Sequence, residues 1–370
     1  MKLSRFVKLS ASLVVICGFL SSFVDVANAM DASIKLHANA EAFPAPCGGP
    51  FVTTTDGAFV ALSNVDAYRS EDGGKTWTTS RALDPEKYQI LDYSIVRAQD
   101  GALVAAFDNN KELKSGKWAQ GSPSDWEIPV YSIRSEDGGK TWSEPVAIQR
   151  DWVGALRAMV VLKSGRIVLA AMAVQPWNHV IPVYYSDDGG KTWVKTQTIT
   201  MEGSKINDHD GAMEPKLVEL KNGSVYMLIR TTKGVFYKSI STDGGETWSK
   251  PESTGIENNN SFGELAILSD GRWVLVWNRD KKFPAFNYEP DPNDWQVKDL
   301  NYDWIRRRNE LSIAFSSDEG KTWTEPVVVA STENEKIWIA YTVFFEPEPG
   351  VFWLTTQPGG VKMQIREDRL

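Results

Sequence analysis

Apolar and polar positions in this chain alternate over short runs instead of recurring at helical spacing. Pro182-Val183-Tyr184-Tyr185, Leu311 to Phe315 and Pro326 to Val329 are rich in β-branched and aromatic residues and end in Gly, Asp, Asn or Ser. That is the composition of short strands closed by turns. Two kinds of turn recur. At Asp56-Gly57, Asp100-Gly101, Ser164-Gly165, Asn222-Gly223, Asp270-Gly271 and Pro349-Gly350, a turn pair separates two apolar runs, and glycine there supplies the positive φ of a tight hairpin. The second turn is a phrase, Ser-x-Asp-x-Gly-x-Thr-Trp, written at Ser70 to Trp77, Ser135 to Trp142, Ser186 to Trp193, Ser241 to Trp248 and Ser316 to Trp323.

Five of the six hairpins are followed by a copy of the phrase, which gives four strands per unit. Self-similarity at such a period means stacked units that bury their faces against one another. The pattern predicts an all-β fold, a six-bladed β-propeller of four-stranded antiparallel blades. The last unit, Tyr341 to Thr356, has only Val361 to Ile365 left for a third strand. Its fourth is expected from Ser33 to His37, so that the opposite end of the chain closes the ring.

Composition changes the picture in three ways. Lys2, Arg5 and Lys8 precede an apolar run from Leu13 to Val24, and Ala27-Asn28-Ala29 offers small residues for cleavage. Residues 1–29 therefore read as a signal peptide and residues 30–370 as a single domain, secreted or periplasmic, with no membrane insertion after cleavage. The full chain has a formal net charge of −8, which disfavours nucleic acid as a partner. Beyond the leader only Cys47 remains, so no intrachain disulfide is expected; with no partner His nearby in sequence it reads as a buried thiol.

The phrase itself reads as structural: its Asp can accept from backbone N–H groups of its own turn, its Gly relaxes the backbone and its Trp is buried. In a four-stranded meander the first and third turns lie on one side of the disc, so functional groups belong on the other. There the first strands begin with Asp92, Arg157, Glu214 and Tyr341, the second strands end with Asp108, Arg230 and Arg279, and blade five's third strand begins near Arg306-Arg307-Arg308. Long loops from Asn109 to Glu127 and from Asp280 to Ile305 share that face and bring Trp118, Trp126, Trp295 and Trp304. Arg69 and Glu219 lie toward the opposite face and read as structural. "NDHDG" at Asn207 to Gly211 has a single His and no metal-ligand spacing, so it reads as a polar loop offering Asp210 or His209 to the pocket; no metal or cofactor is expected.

The repeated phrase resembles the Asp-box of sialidases, and the whole of 30–370 resembles their six-bladed propeller. "GAMEPKLVELKNGSVYMLIRTT" is similar to the sialidase segment that carries a catalytic Glu and a carboxylate-binding Arg, which implies Glu214 and Arg230. "RRRNELSIAFSSDEGKTW" is similar to the segment with the last Arg of a triad, implying Arg308. "IAYTVFFEPEPGVFWLTT" is similar to the final blade, implying Tyr341 as nucleophile. A Tyr avoids the repulsion a carboxylate nucleophile would meet beside a substrate carboxylate, and Arg forks suit that carboxylate.

Two departures stand out. The first blade of sialidases opens with an Arg-Ile-Pro motif, and here the place reads Cys47-Gly48-Gly49-Pro50-Phe51. The loop that bears their general-acid Asp is cut to Ser63-Asn64-Val65-Asp66. Arg157 is a candidate replacement for the cation, and Asp92 or Asp210 for the acid. The expectation is a secreted exo-glycosidase of the sialidase type, retaining, acting on a terminal sialic acid or similar acidic sugar of a glycan. Its site is Tyr341, Glu214 and Asp92 as catalytic residues, with Arg230, Arg308 and Arg157 binding substrate. Alternatives are another exo-acting propeller glycosidase or lyase, and a non-catalytic glycan-binding propeller.

Overall fold

The computed structural model describes residues 30–114, 118–119, 122–123, 126–175, 178–202, 210–279, 283–289 and 308–370. The expected signal peptide, together with Trp295, Trp304, Arg306, Arg307, Asp208 and His209, lies outside the described residues.

Six four-stranded antiparallel blades follow one another along the chain. Their first strands are Phe51–Thr53, Ile90–Arg97, Val153–Val161, Met213–Glu219, Gly263–Ile267 and Thr342–Glu348. These strands touch their neighbours around a complete circle, blade six meeting blade one, so they are innermost and line the central axis. Apolar clusters fill every gap between neighbouring blades. Between blades five and six the cluster contains Val274, Ile313, Phe352 and Met363, and between six and one Phe51, Phe59 and Trp353. Cys47 is buried in that last cluster.

The N-terminal segment closes the ring in a different register from the one expected. Lys35–Leu36 pairs with Val327–Ser331 and becomes a fifth strand on blade five. The fourth strand of blade six is Glu41–Ala42, paired with Lys362–Arg366. Both strands are two residues long and carry no periodicity, so only the pairing partner distinguishes them.

The Asp-box is a self-closing turn. Ser135 Oγ donates to Asp137 Oδ1 at 2.9 Å and accepts from the Gly139 N–H at 2.7 Å, while Thr141 donates to Asp137 through both its N–H (2.9 Å) and its hydroxyl (2.6 Å). The same bonds recur around Asp72, Asp188, Asp243 and Asp318. The glycine has a second job: a Cβ at Gly139 would come within 2.9 Å of Val60, and one at Gly190 within 2.5 Å of Val104, so each turn rests against the preceding blade. Arg69 fastens that contact, donating to the Gly138 carbonyl at 2.8 Å and to Asp56 at 2.7 Å. Glu219 accepts from the Lys163 N–H at 2.9 Å, likewise between blades. Arg69 thus touches a hairpin turn and an Asp-box turn together, which puts both on one side of the disc.

Candidate active site

Five of the six proposed site residues come from the beginnings of innermost strands or from strands beside them, and the structure brings all six to one region. Arg230 ends the second strand of blade four, opposite Met213, and the ladder is interrupted between Met213 and Lys216, which turns Glu214 out of the pleat. Glu214 Oε2 accepts from Arg230 Nη1 at 2.5 Å, and Arg230 also interacts with the Tyr341 hydroxyl. Burial works against the charge of Arg230, but Glu214 and the Tyr341 oxygen hold it ionised above its usual range. Glu214 is likewise buried, and Arg230, Arg308 and Arg157 outweigh that burial and keep its carboxyl below the ordinary carboxylate range.

Tyr341 directly precedes the first strand of blade six. Its ring stacks on Phe262, with centroids 6.4 Å apart, and two guanidinium carbons lie near it, Arg157 at 5.0 Å and Arg308 at 5.3 Å from the ring centroid. Arg308, only 2% exposed, packs its guanidinium 4.9 Å from the Trp338 ring. Nη2 of Arg308 donates to the Asn260 carbonyl at 3.0 Å, whereas its Nε and Nη1 have no hydrogen-bond partner among the described residues. Two buried guanidinium donors without a described partner are an unusual expense in a folded protein, and an anionic ligand with several acceptor oxygens would satisfy them.

Arg157, from blade three, fills the third cationic place. Its Nε donates to Asp92 Oδ2 at 2.9 Å and its Nη2 to Gln357 at 2.7 Å. Asp92 Oδ2 accepts from the Leu156 N–H as well, at 3.2 Å, and its Oδ1 from the Tyr93 N–H at 3.1 Å. Asp92 therefore stands in the site as the acceptor that orients Arg157. Asp108 lies behind it, fully buried, taking the Asp92 and Leu91 N–H groups on Oδ1 at 2.6 and 3.2 Å. Burial and the neighbouring Asp92 push the Asp108 carboxyl well above the carboxylate range.

Other candidates do not join this group. Asp66 is paired with Arg81 at 2.8 Å on blade one's outer strands. Asp210, 1% exposed, caps its own turn, accepting from Gly211 N–H at 2.8 Å and Thr232 hydroxyl at 2.5 Å. Arg279 turns back to the Phe283 carbonyl at 3.2 Å. The Cys47-to-Pro50 segment is packed on blade six, where Thr355 donates to the Gly48 carbonyl at 2.5 Å.

Sequence reasoning missed Asn260, Phe262 and Gln357. Asn260 is 1% exposed and joins two arginines, accepting from Arg230 Nε at 3.0 Å on its side chain and from Arg308 on its carbonyl. The run Asn258-Asn259-Asn260-Ser261 before a first strand was the available signal: asparagine tolerates left-handed backbone, and Asn260 has φ +57°. Below Phe262, Lys216 Nζ bonds Glu264 at 2.8 Å and the Arg157 carbonyl at 3.1 Å, forming the floor.

A model of the BNR repeat-like domain family matches residues 96–348, more than half of the chain. The chain belongs to the BNR repeat-like family. Among relatives of this BNR repeat-like chain, a sialidase of Paraclostridium sordellii is 26% identical over 249 residues, covering 60% of this chain and 57% of that protein. A sialidase of Clostridium perfringens is 26% identical over 216 residues, covering 51% and 53%. The chain thus spans a little over half the length of these curated relatives. Among solved structures, a Hadza microbial sialidase superposes with a TM-score of 0.60 at 17% identity, over 90% of this chain and 68% of that one. A Dyadobacter fermentans protein of unknown function gives 0.56 at 16%, over 90% and 98%. These two likenesses concern the fold alone.

Proposed function

We propose that this chain is a retaining glycoside hydrolase of the sialidase type, acting on a terminal sugar that carries a carboxylate at the bond to be cleaved. The observation that carries the reading is Arg308, two of whose buried donors have no partner among the described residues and whose guanidinium lies beside Tyr341. Arg157, Arg230 and Arg308 face Glu214 and Asp92, an excess of one positive charge that a substrate carboxylate neutralises. The similarity to sialidases points the same way.

In this mechanism the Tyr341 oxygen attacks the anomeric carbon as the bond to the leaving oxygen breaks, and its proton passes to Glu214, which Arg230 keeps ionised and ready to accept it. Water then cleaves the tyrosyl glycoside and Glu214 assists in reverse, which retains configuration. Asp92 keeps Arg157 on the substrate carboxylate instead of donating a proton, so the leaving oxygen is protonated by solvent at the pocket mouth. Export directed by residues 1–29 is part of the same proposal, and N-terminal sequencing of the protein from culture medium or periplasm checks it.

The test is release of an aryl alcohol from an α-sialoside by wild type and by Tyr341→Phe. Turnover in the first and a large loss of it in the second is expected; equal turnover in both overturns the reading. Saturable glycan binding with no turnover in wild type would instead establish a binding propeller.

A further inference from the structure

A second concave site lies at the outer part of the disc, between blades two and three. It is a groove of about 390 Å³ lined by Trp126, Glu127, Gln149, Asp151, Trp152 and Tyr184, among others. Trp126 and Trp152 stand with ring centroids 6.2 Å apart at 59°. Trp152 packs against Gly154, where a Cβ would come within 2.3 Å of the indole, so the glycine is what makes room for the ring.

Two polar side chains of this groove could meet a ligand. Tyr184, 3% exposed, contributes to the groove lining. Gln149 donates its Nε2 to the Ile128 carbonyl at 3.4 Å, but its buried Oε1 accepts from no described group. A buried acceptor left open among the described residues, in a groove that a tyrosine also lines, suits a hydroxylated ligand. The charges are already spoken for: Glu127 pairs with Lys114 at 2.7 Å and Asp151 with Lys195 at 3.7 Å. A neutral ligand is therefore favoured over an ionic one, and indole faces beside hydroxyl partners suit a pyranose, which has an apolar face and an equatorial rim of O–H groups.

We propose that this groove is a glycan subsite that binds a neutral sugar unit by stacking on Trp152 and hydrogen bonding to Tyr184 and Gln149. Its position ties it to the active site, and in this respect it rests on the reading above. Val153, in the groove wall, and Arg157 share one strand, and four residues of strand span roughly 13 Å. A short oligosaccharide whose acidic end is held by Arg157 and its neighbours reaches the groove with its neutral part.

Isothermal titration with lactose, maltose and cellobiose tests this without any acidic sugar. Saturable binding of at least one of them is expected, about tenfold weaker in Trp152→Ala and about fivefold weaker in Tyr184→Phe, a conservative change that keeps the fold if the larger truncation does not. Binding by Tyr341→Phe should equal wild type. No binding of any of the three, or binding unchanged in both groove variants, overturns the proposal. The two readings fail separately: disaccharide binding without sialoside turnover leaves the groove standing and removes the hydrolase, and the reverse result does the opposite.

Discussion

Glu214 and Tyr341 both hold left-handed backbone conformations, at φ +36° and +55°, and both side chains meet the guanidinium of Arg230. Asn260, the third neighbour of that guanidinium, is left-handed too, at φ +57°. For a non-glycine residue this costs on the order of 1–3 kcal/mol and persists only when its surroundings dictate it. Three such residues around one arginine mean that the blade ladders and the packing on Phe262 hold the site in a geometry the local chain would not choose.

Removing the Tyr341 hydroxyl alone leaves the ring stacked on Phe262 and beside Arg157 and Arg308. Tyr341→Phe should lower kcat for an aryl sialoside about a thousandfold, roughly 4 kcal/mol of barrier, with a melting temperature close to wild type. Parallel rate assays and thermal melts read the two effects separately.

Asn260 contributes a conformation and a side-chain acceptor, and two variants divide them. Asn260→Gly keeps the left-handed backbone and loses the bond to Arg230, so KM should rise about tenfold while stability falls little. Asn260→Ala adds backbone strain of about 1 kcal/mol, visible as a lower urea midpoint beyond that of the glycine variant.

Asp92 offers a test of how the leaving group departs. If it orients Arg157, Asp92→Asn should raise KM by about tenfold for aryl and for natural oligosaccharide substrates alike. A proton donor would behave differently, its loss slowing the natural substrate far more than an aryl glycoside whose leaving group needs no proton. The ratio of the two kcat/KM losses decides, and a ratio near one is expected.

The Asp-boxes set the acid limit of the fold. Asp72, Asp137, Asp243 and Asp318 are held at about 2. At Asp72 and Asp318 the threonine hydroxyl is the leading cause; at Asp137 and Asp243 slight burial opposes ionisation, and the Thr and Ser hydroxyls and the backbone N–H groups outweigh it. Unfolded carboxyls titrate near 3.9, so this stabilisation is complete above about pH 4 and drains away as pH falls toward 2. Urea midpoints measured from pH 6 to pH 2 should fall over that window, and Asp137→Asn should make the fall shallower.

The architecture was legible because it is written many times: six glycine turns and five Asp-boxes each impose the same local geometry, and an error in one is outvoted by the rest. The side of the disc carrying Glu214, Arg230, Arg308 and Tyr341 followed from strand direction alone. Local pairings without pattern were not legible. Lys35–Leu36 and Glu41–Ala42 are too short to show an alternation, and which blade each joins is decided by packing far along the chain. Asn260 and Gln357 escaped notice because a single amide in a loop carries no period, and its value comes from arginines that arrive from other blades.

Lys35–Leu36 and Glu41–Ala42 find their partners at Val327–Ser331 and Lys362–Arg366, some three hundred residues downstream. The circle therefore cannot be clasped until nearly the entire polypeptide exists, and contacts of such separation make assembly slow.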